Sequence, residues 1–296
     1  MTLIRDAGLL VKPATIVRRV AYILLILALL IWLVIAVYPV FFLFLTAFKN
    51  DTEILNYPFE VPRIWRWEYF EGVWAGKRAN GPFSMFLTNS LIVTAGTLLL
   101  LLFVSGLAGY SLARGRFPGS AGIQQAFLVT LAVPAHALVI PIFFMMDRFG
   151  LRNNLMGLIL IYTTLGMPFT AMMMRAYFQS FPVELEEAAL IDGCSRLGVF
   201  WRVVIPISRN AMASMAIINV TWVWSELFFA MVLMDRALSR TLPVGVVSYA
   251  PVAMMGDANA IGPQFAAMTI AAVPLIIFFF LFQRQITKGM TMGAFR

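Results

Sequence analysis

Three glutamates fall within four positions, Glu184, Glu186 and Glu187, with Asp192 five residues further on. They lie in a polar stretch, 180–206, that long apolar runs flank on both sides. Acidic groups of this kind could serve acid–base chemistry, metal binding or docking. The rest of the chain narrows the first two. A single His136 and a single Cys194 exclude a disulfide framework and any His/Cys metal cluster built by this chain alone. They also leave no constellation of His, Cys and acid for a membrane-embedded enzyme. No Gly-x-x-x-x-Gly-Lys-Ser/Thr run occurs, so the chain has no P-loop, and an ATP-driven step would need another subunit.

By itself the stretch reads first as an amphipathic interfacial helix joining two spans, and local sequence describes it. Pro182 suits a first helical turn, where its missing N–H is not needed. The helix dipole then favours Glu184, Glu186 and Glu187 in the first turns. Leu185, Ala188 and Ala189 share a face by their 3, 4 spacing, and the two alanines permit close approach of a partner. Gly193 ends the helix as a left-handed C-terminal residue, ahead of Cys194. Ser195 can cap a second helix whose apolar side is Leu197, Phe200, Trp201 and Val204, and Pro206 limits its length. Taken alone, such a loop is either an interfacial helix joining two spans or an element that fits a groove on another protein.

Composition sets the surroundings. The chain is 61% hydrophobic and 12% charged, with mean hydropathy +0.87, whereas a soluble protein carries about a quarter charged residues. This is an all-α integral membrane protein with six expected spans, at 20–48, 83–113, 119–146, 155–174, 210–234 and 264–282. The uncharged run Val20–Phe48 far exceeds the core of about 7–15 residues in a cleaved signal peptide, so it is expected to be a retained span. Pro134 and Pro141 predict a kink in the third span, and His136 between them reads as a satisfied or cavity-facing polar residue. Trp65, Trp67 and Trp74 read as interfacial anchors, and the 18 methionines as packing. No linker or soluble domain divides the chain, which reads as one membrane domain, 1–296.

Glu226 lies within the apolar fifth span. A carboxylate facing lipid costs a few kcal/mol, so Glu226 is expected to face the protein interior. Asn219, seven residues earlier, and Trp222, four earlier, share its helical face. That face suits a translocation pathway or a seam with a partner chain. An ion- or proton-coupled secondary transporter using Glu226 is the rival function.

Lys and Arg number 13 in the segments on the side holding both termini and the 180–206 loop, against 9 on the other. Arg18 and Arg19 abut the first span. The positive-inside rule therefore places both termini and that loop in the cytoplasm. The +8 net charge needs no nucleic acid to explain it.

The motifs Glu187-Ala188-Ala189, Asp192-Gly193 and Ile205-Pro206 resemble the EAA loop of ABC-importer permeases. Nearly the whole chain is similar to MalG-type permease subunits of carbohydrate importers. Asn89-Ser90-Leu91 opens the second span, Ala113-Arg114-Gly-Arg116-Phe117-Pro118-Gly119 closes it, and Trp224-Ser225-Glu226-Leu227-Phe228 marks the fifth. Lys288-Gly289-Met290-Thr291-Met292-Gly293-Ala294-Phe295 ends the chain in the same style. Ser225 stands where that family usually has Asn, and Cys194 where Ala is common.

The resemblance implies a type I importer fold, MetI-like, in a bacterial inner membrane. Its expected partners are a second, MalF-like permease subunit, an ATPase dimer that holds ATP and Mg, and an extracytoplasmic binding protein delivering a small carbohydrate-type substrate. Glu184, Glu186, Glu187, Ala188, Ala189, Asp192, Gly193, Cys194 and Pro206 would belong to the ATPase-coupling loop. The outer stretch Pro251–Gly256 is expected to touch the binding protein, and Lys288–Phe295 the ATPase.

Overall fold

The computed structural model describes residues 13–76, 81–115, 117–250 and 261–291, with backbone only for 13–17 and 284–291. Among them every regular element is helical. In chain order these are α1 (Pro13–Thr46), α2 (Asp51–Asn56), α3 (Glu68–Trp74), α4 (Phe83–Arg114), α5 (Ser120–Ala132), α6 (Val139–Arg148) and α7 (Leu155–Gln179). Then follow α8 (Glu184–Ile191), α9 (Arg196–Val199), α10 (Ile205–Ile207), α11 (Arg209–Ser225), α12 (Phe228–Leu233), α13 (Leu242–Val247) and α14 (Ile261–Thr291).

The pair α4 and α7 forms the centre. Gly96 meets Ile159, Leu101 meets Gly166, and Gly109 meets Ala171 and Met174, so positions on the two helices advance together and the helices run parallel. A Cβ at Gly109 would stand 2.9 Å from the Ala171 carbonyl oxygen and 3.0 Å from the Arg175 backbone nitrogen. Only glycine permits that approach, and small residues of this kind drive helix association where lipid removes the hydrophobic difference. The side chains from Arg18 to Phe41 on α1 are exposed within this chain, as an apolar helix facing lipid or another subunit must be.

Four helices, α1, α4, α7 and α14, are each long and apolar enough to cross a membrane, and there are up to six spans if each of two bent pairs counts as one. The kink expected in the third span is present, and it is sharp enough to break the span in two. The 13 residues of α5 and the segment 135–148 meet at 93°, with Pro134 extended at the break. Pro141 falls instead in the first turn of α6, where it disturbs nothing. The fifth span is interrupted too. Its α11 has 17 residues, about 26 Å at 1.5 Å per residue, short of a hydrocarbon core of about 30 Å. The chain turns extended at Glu226 before α12 continues. Hydropathy sees both halves of each span as apolar and so cannot report the break. At the far end, α14 runs on to Thr291, so much of the expected tail is helix.

Loops on the Asp147–Asn154 side are held by polar contacts. Asn89 Nδ2 donates to the carbonyls of Leu238 and Arg240, both at 2.9 Å, and the Leu242 N–H donates to Ser90 Oγ at 2.8 Å. The Asn-Ser pair that opens α4 thus pins it to the segment before α13. Trp65 and Trp67 lie against Phe48, each with ring centroids 4.8 Å apart. The stretch Pro251–Gly256, the motif beyond Thr291 and Arg116 lie outside the described residues.

Candidate functional site

The polar stretch 180–206 folds as two short helices, and its first helix ends in a complete Schellman motif. Gly193 adopts φ +85°, its N–H bonds the Leu190 carbonyl, and the Cys194 N–H bonds the Ala189 carbonyl, both at 3.0 Å. Pro182 lies just ahead of α8 rather than within it, since Glu184 is the first helical residue. Ser195 caps the second helix by accepting from the Gly198 N–H at 3.1 Å. Pro206 does not stop that helix. A π-helical turn, Phe200–Val204, precedes α10, and the helix runs through the proline to Ile207. The wider turn accommodates the ring and the missing N–H that would otherwise break an α-helix. The chain then bends by 76° into α11.

Two faces result. Beneath the loop, Val199, Phe200 and Val204 join Met174 and Phe178 in a buried cluster against which Ala189 and Cys194 pack. Trp201, expected in that apolar side, is half-exposed and stacks on Phe103 at 6.1 Å, and Leu197 is exposed. The outward surface carries Glu184, Leu185, Glu187, Ala188, Leu190, Ile191, Asp192 and Gly193, all exposed. Ile191, at 86% exposure, is the most exposed apolar side chain there.

Glu186 parts from its neighbours. It is buried at 8% exposure, and Arg114 Nε donates to its Oε1 at 2.8 Å while the Tyr110 hydroxyl donates to its Oε2 at 2.9 Å. Arg114 also donates from a terminal guanidinium nitrogen to the Phe181 carbonyl at 3.0 Å. Sequence reading grouped Glu186 with Glu184 and Glu187 and assigned Tyr110 and Arg114 no role. The usable signal was their i, i+4 spacing at the end of an apolar helix, which puts a hydroxyl and a cation on one face.

The second cluster lies at the break in the fifth span. Glu226 closes the end of α11 and then caps α12, its carboxyl accepting from the Phe229 N–H at 2.9 Å and the Ala230 N–H at 3.2 Å. The Tyr162 hydroxyl on α7 donates to the same carboxyl. Ion pairs among the described residues do not include Glu226. Trp222 sits edge-on to Tyr162 with centroids 5.8 Å apart. Asn219 is buried and donates to Thr170 Oγ1 at 3.2 Å and to the Met215 carbonyl at 2.8 Å. All three residues therefore turn toward α7, although Glu226 stands past the helix end from which the shared face was reckoned. Tyr162 and Thr170 went unread in the sequence, because a hydroxyl inside an apolar run carries no pattern. His136 packs on Phe228 and Phe229, at 4.8 and 5.9 Å.

Residues 105–292, more than half of the chain and including the whole loop, match the family described as "Binding-protein-dependent transport system inner membrane component". The chain belongs to that family. Over 268 residues it is 33% identical to the diacetylchitobiose uptake system permease protein NgcG of Streptomyces coelicolor, covering 90% of this chain and 87% of the relative. The probable ABC transporter permease protein YurM of Bacillus subtilis is also 33% identical, over 90% of this chain and 86% of its own. The sulfoquinovosyl glycerol transport system permease protein SmoH of Agrobacterium fabrum is 32% identical over 74% and 75%. The fold is similar to that of a chain in a crystallised bacterial alginate importer, with TM-score 0.77, 23% identity, and 90% and 96% of the two chains covered. The type I importer fold expected from the motifs is therefore the fold observed, and the chain is a multi-pass inner-membrane permease of an ABC importer.

Proposed function

We propose that the chain imports a carbohydrate, or a related polyol or glycoside, by coupling closure of a partner ATPase dimer to alternating access of the membrane helices. The loop 180–206 is the contact. The observation that carries this reading is a helix, α8, whose acidic and apolar outer surface is exposed while its inner side is fastened to α4 and to a buried cluster. Such a helix suits a groove whose rim is basic and whose floor is apolar. Movement of the groove would turn the membrane helices as rigid bodies. The carbohydrate assignment is supported by the relatives named for diacetylchitobiose and sulfoquinovosyl glycerol uptake.

In this reading the single membrane domain holds no nucleotide. ATP and Mg belong to the ATPase subunits, and a MalF-like second permease and an extracytoplasmic binding protein complete the assembly. The Lys and Arg distribution supports cytoplasmic termini. Trp222 and Glu226 belong to the pathway or the seam with the second permease, the buried Tyr162 holding Glu226 in place, while Asn219 holds α11 to α7.

Replacing Glu187 by Lys should abolish copurification of the ATPase while membrane insertion persists. Gly193→Val should impair it more than Gly193→Ala, because a β-branched residue tolerates positive φ least. Space is not the issue at Gly193, where an added Cβ meets nothing within 4 Å. Intact ATPase capture and uptake in both Glu187→Lys and Gly193→Val would refute the coupling assignment. Thermal-shift screening of the cognate binding protein against sugars would name the substrate.

A further inference from the structure

We infer that Glu186 is a positioning residue: its contacts with Arg114 and Tyr110 latch the loop helix to the end of α4, so that a force on α8 moves the α4–α7 pair. This rests on the reading of 180–206 as the ATPase-coupling loop and adds the route by which that loop acts on the membrane helices.

The chain connects α8 to the membrane helices in two places, and both are compliant. On one side, residues 180–183 lead from α7 through a bend and a proline. On the other, the left-handed Gly193, a π-helical turn and the 76° bend at Ser208 stand between α8 and α11. A helix held only by these and by the apolar packing of Ala189 on the buried cluster, which has no direction, could turn in its groove while carrying less of the motion to the bundle.

The third connection is not covalent, and it is stiffer. Arg114 and Glu186 have side chains only 18% and 11% exposed. The guanidinium spans the loop by holding Glu186 on α8 and the Phe181 carbonyl ahead of it. Tyr110, one turn earlier on α4, takes the second carboxyl oxygen and packs on Phe178 and Phe200. Both oxygens are thus used, and the fork geometry of arginine fixes direction as well as distance. Where it lands matters as much. At Gly109, next to Tyr110, α4 lies in near-backbone contact with α7, and Arg175 Nε donates to the Leu112 carbonyl at 3.3 Å. A displacement delivered to the end of α4 therefore reaches α7 as well. Glu184 and Glu187, two positions before and one after it on the exposed side of the helix, remain available for the partner.

The same mechanical route carries the signal of the docked binding protein to the ATPase, so the coupling can be read from hydrolysis without knowing the substrate. The assembled complex of both permease subunits, ATPase dimer and binding protein would be reconstituted in nanodiscs, and hydrolysis measured with and without the binding protein. Glu186→Ala should retain the ATPase on copurification yet lose binding-protein stimulation by about fivefold or more, the lower end of usual coupling factors. Glu186→Gln, which keeps an acceptor for Arg114 and a partner for Tyr110, should stay within about twofold of wild type. Glu187→Lys, run in parallel, should lose the ATPase itself.

Wild-type stimulation in an assembled Glu186→Ala complex would overturn the latch. So would equal loss in the Ala and Gln variants, or loss of ATPase capture in Glu186→Ala as complete as in Glu187→Lys. Retention of the ATPase by Glu187→Lys would instead overturn the coupling-loop reading, and the latch with it.

Discussion

Glu186 and Glu226 both turn their carboxyl groups into the protein, one beneath the loop helix and the other at a break in the fifth span. Glu186 is met by a guanidinium and a tyrosine hydroxyl. Glu226 is met by a tyrosine hydroxyl and two backbone N–H groups at the start of a helix, with no cation paired to it among the described residues. The two solutions suit their surroundings. Near the end of a span an arginine can keep part of its guanidinium hydrated. Deep in lipid a second charge would add its own desolvation penalty, and the free N–H groups of an interrupted helix supply donors without one. A carboxyl in the membrane and a broken helix therefore satisfy each other.

The comparison is tested most strongly by replacing each acid with leucine. Glu226→Leu leaves two N–H groups and the Tyr162 hydroxyl without their partner, a loss on the order of 4 kcal/mol at about 1–3 per unmet group. Glu186→Leu should cost less, about 2 kcal/mol, because Arg114 can turn toward water. Denaturation of the complex in nanodiscs would rank them, and the reverse order would break the contrast. Glu226→Gln retains shape and acceptors and should be mild.

The tyrosines sharpen the contrast at smaller scale. Tyr162→Phe removes one bond in a fully buried site, and Tyr110→Phe removes one beside an arginine that remains. Losses of about 1.5 and about 0.5 kcal/mol are expected, within the usual range for single hydrogen bonds, read from the same unfolding curves. Equal effects would mean that burial does not distinguish the two sites.

The smallest effect belongs to a third acidic arrangement, on the loop surface. Arg152 bridges Asp147 and Asp235 at 2.8 and 3.0 Å. Hydrogen bonding from Asn153, and secondarily the charge of Arg152, holds the Asp235 carboxyl below its usual range. A depressed carboxyl contributes stability above its unfolded pKa of about 3.9, and that contribution is lost as pH falls through the lower folded value. Arg152→Gln should cost about 0.3 kcal/mol, low in the range of exposed ion pairs, and less at high salt. Hydrogen exchange of the 147–154 turn should show faster opening in the variant at neutral pH, with the difference shrinking under acid.

Much of this was legible in the residues. The apolar runs, the first-turn acids of α8, the left-handed Gly193 and the Ser195 cap all follow from interactions within a few positions, which local sequence specifies. The family, too, rested on motifs that are each a short local run, though they are spread along the chain. Tertiary structure alone decided the rest. It turned Glu186 inward while leaving Glu187 outside, because Arg114 lies 72 positions away and no local pattern registers it. It broke the fifth span where hydropathy runs on, and made of the proline kink in the third a 93° bend, because a break in lipid is permitted only where distant groups satisfy the freed backbone. At Glu226 those groups are a hydroxyl on α7, 64 positions earlier, and the first turn of the next helix. Chain-local chemistry determined what each helix is; contacts between remote helices determined which acid faces a partner and which holds the fold.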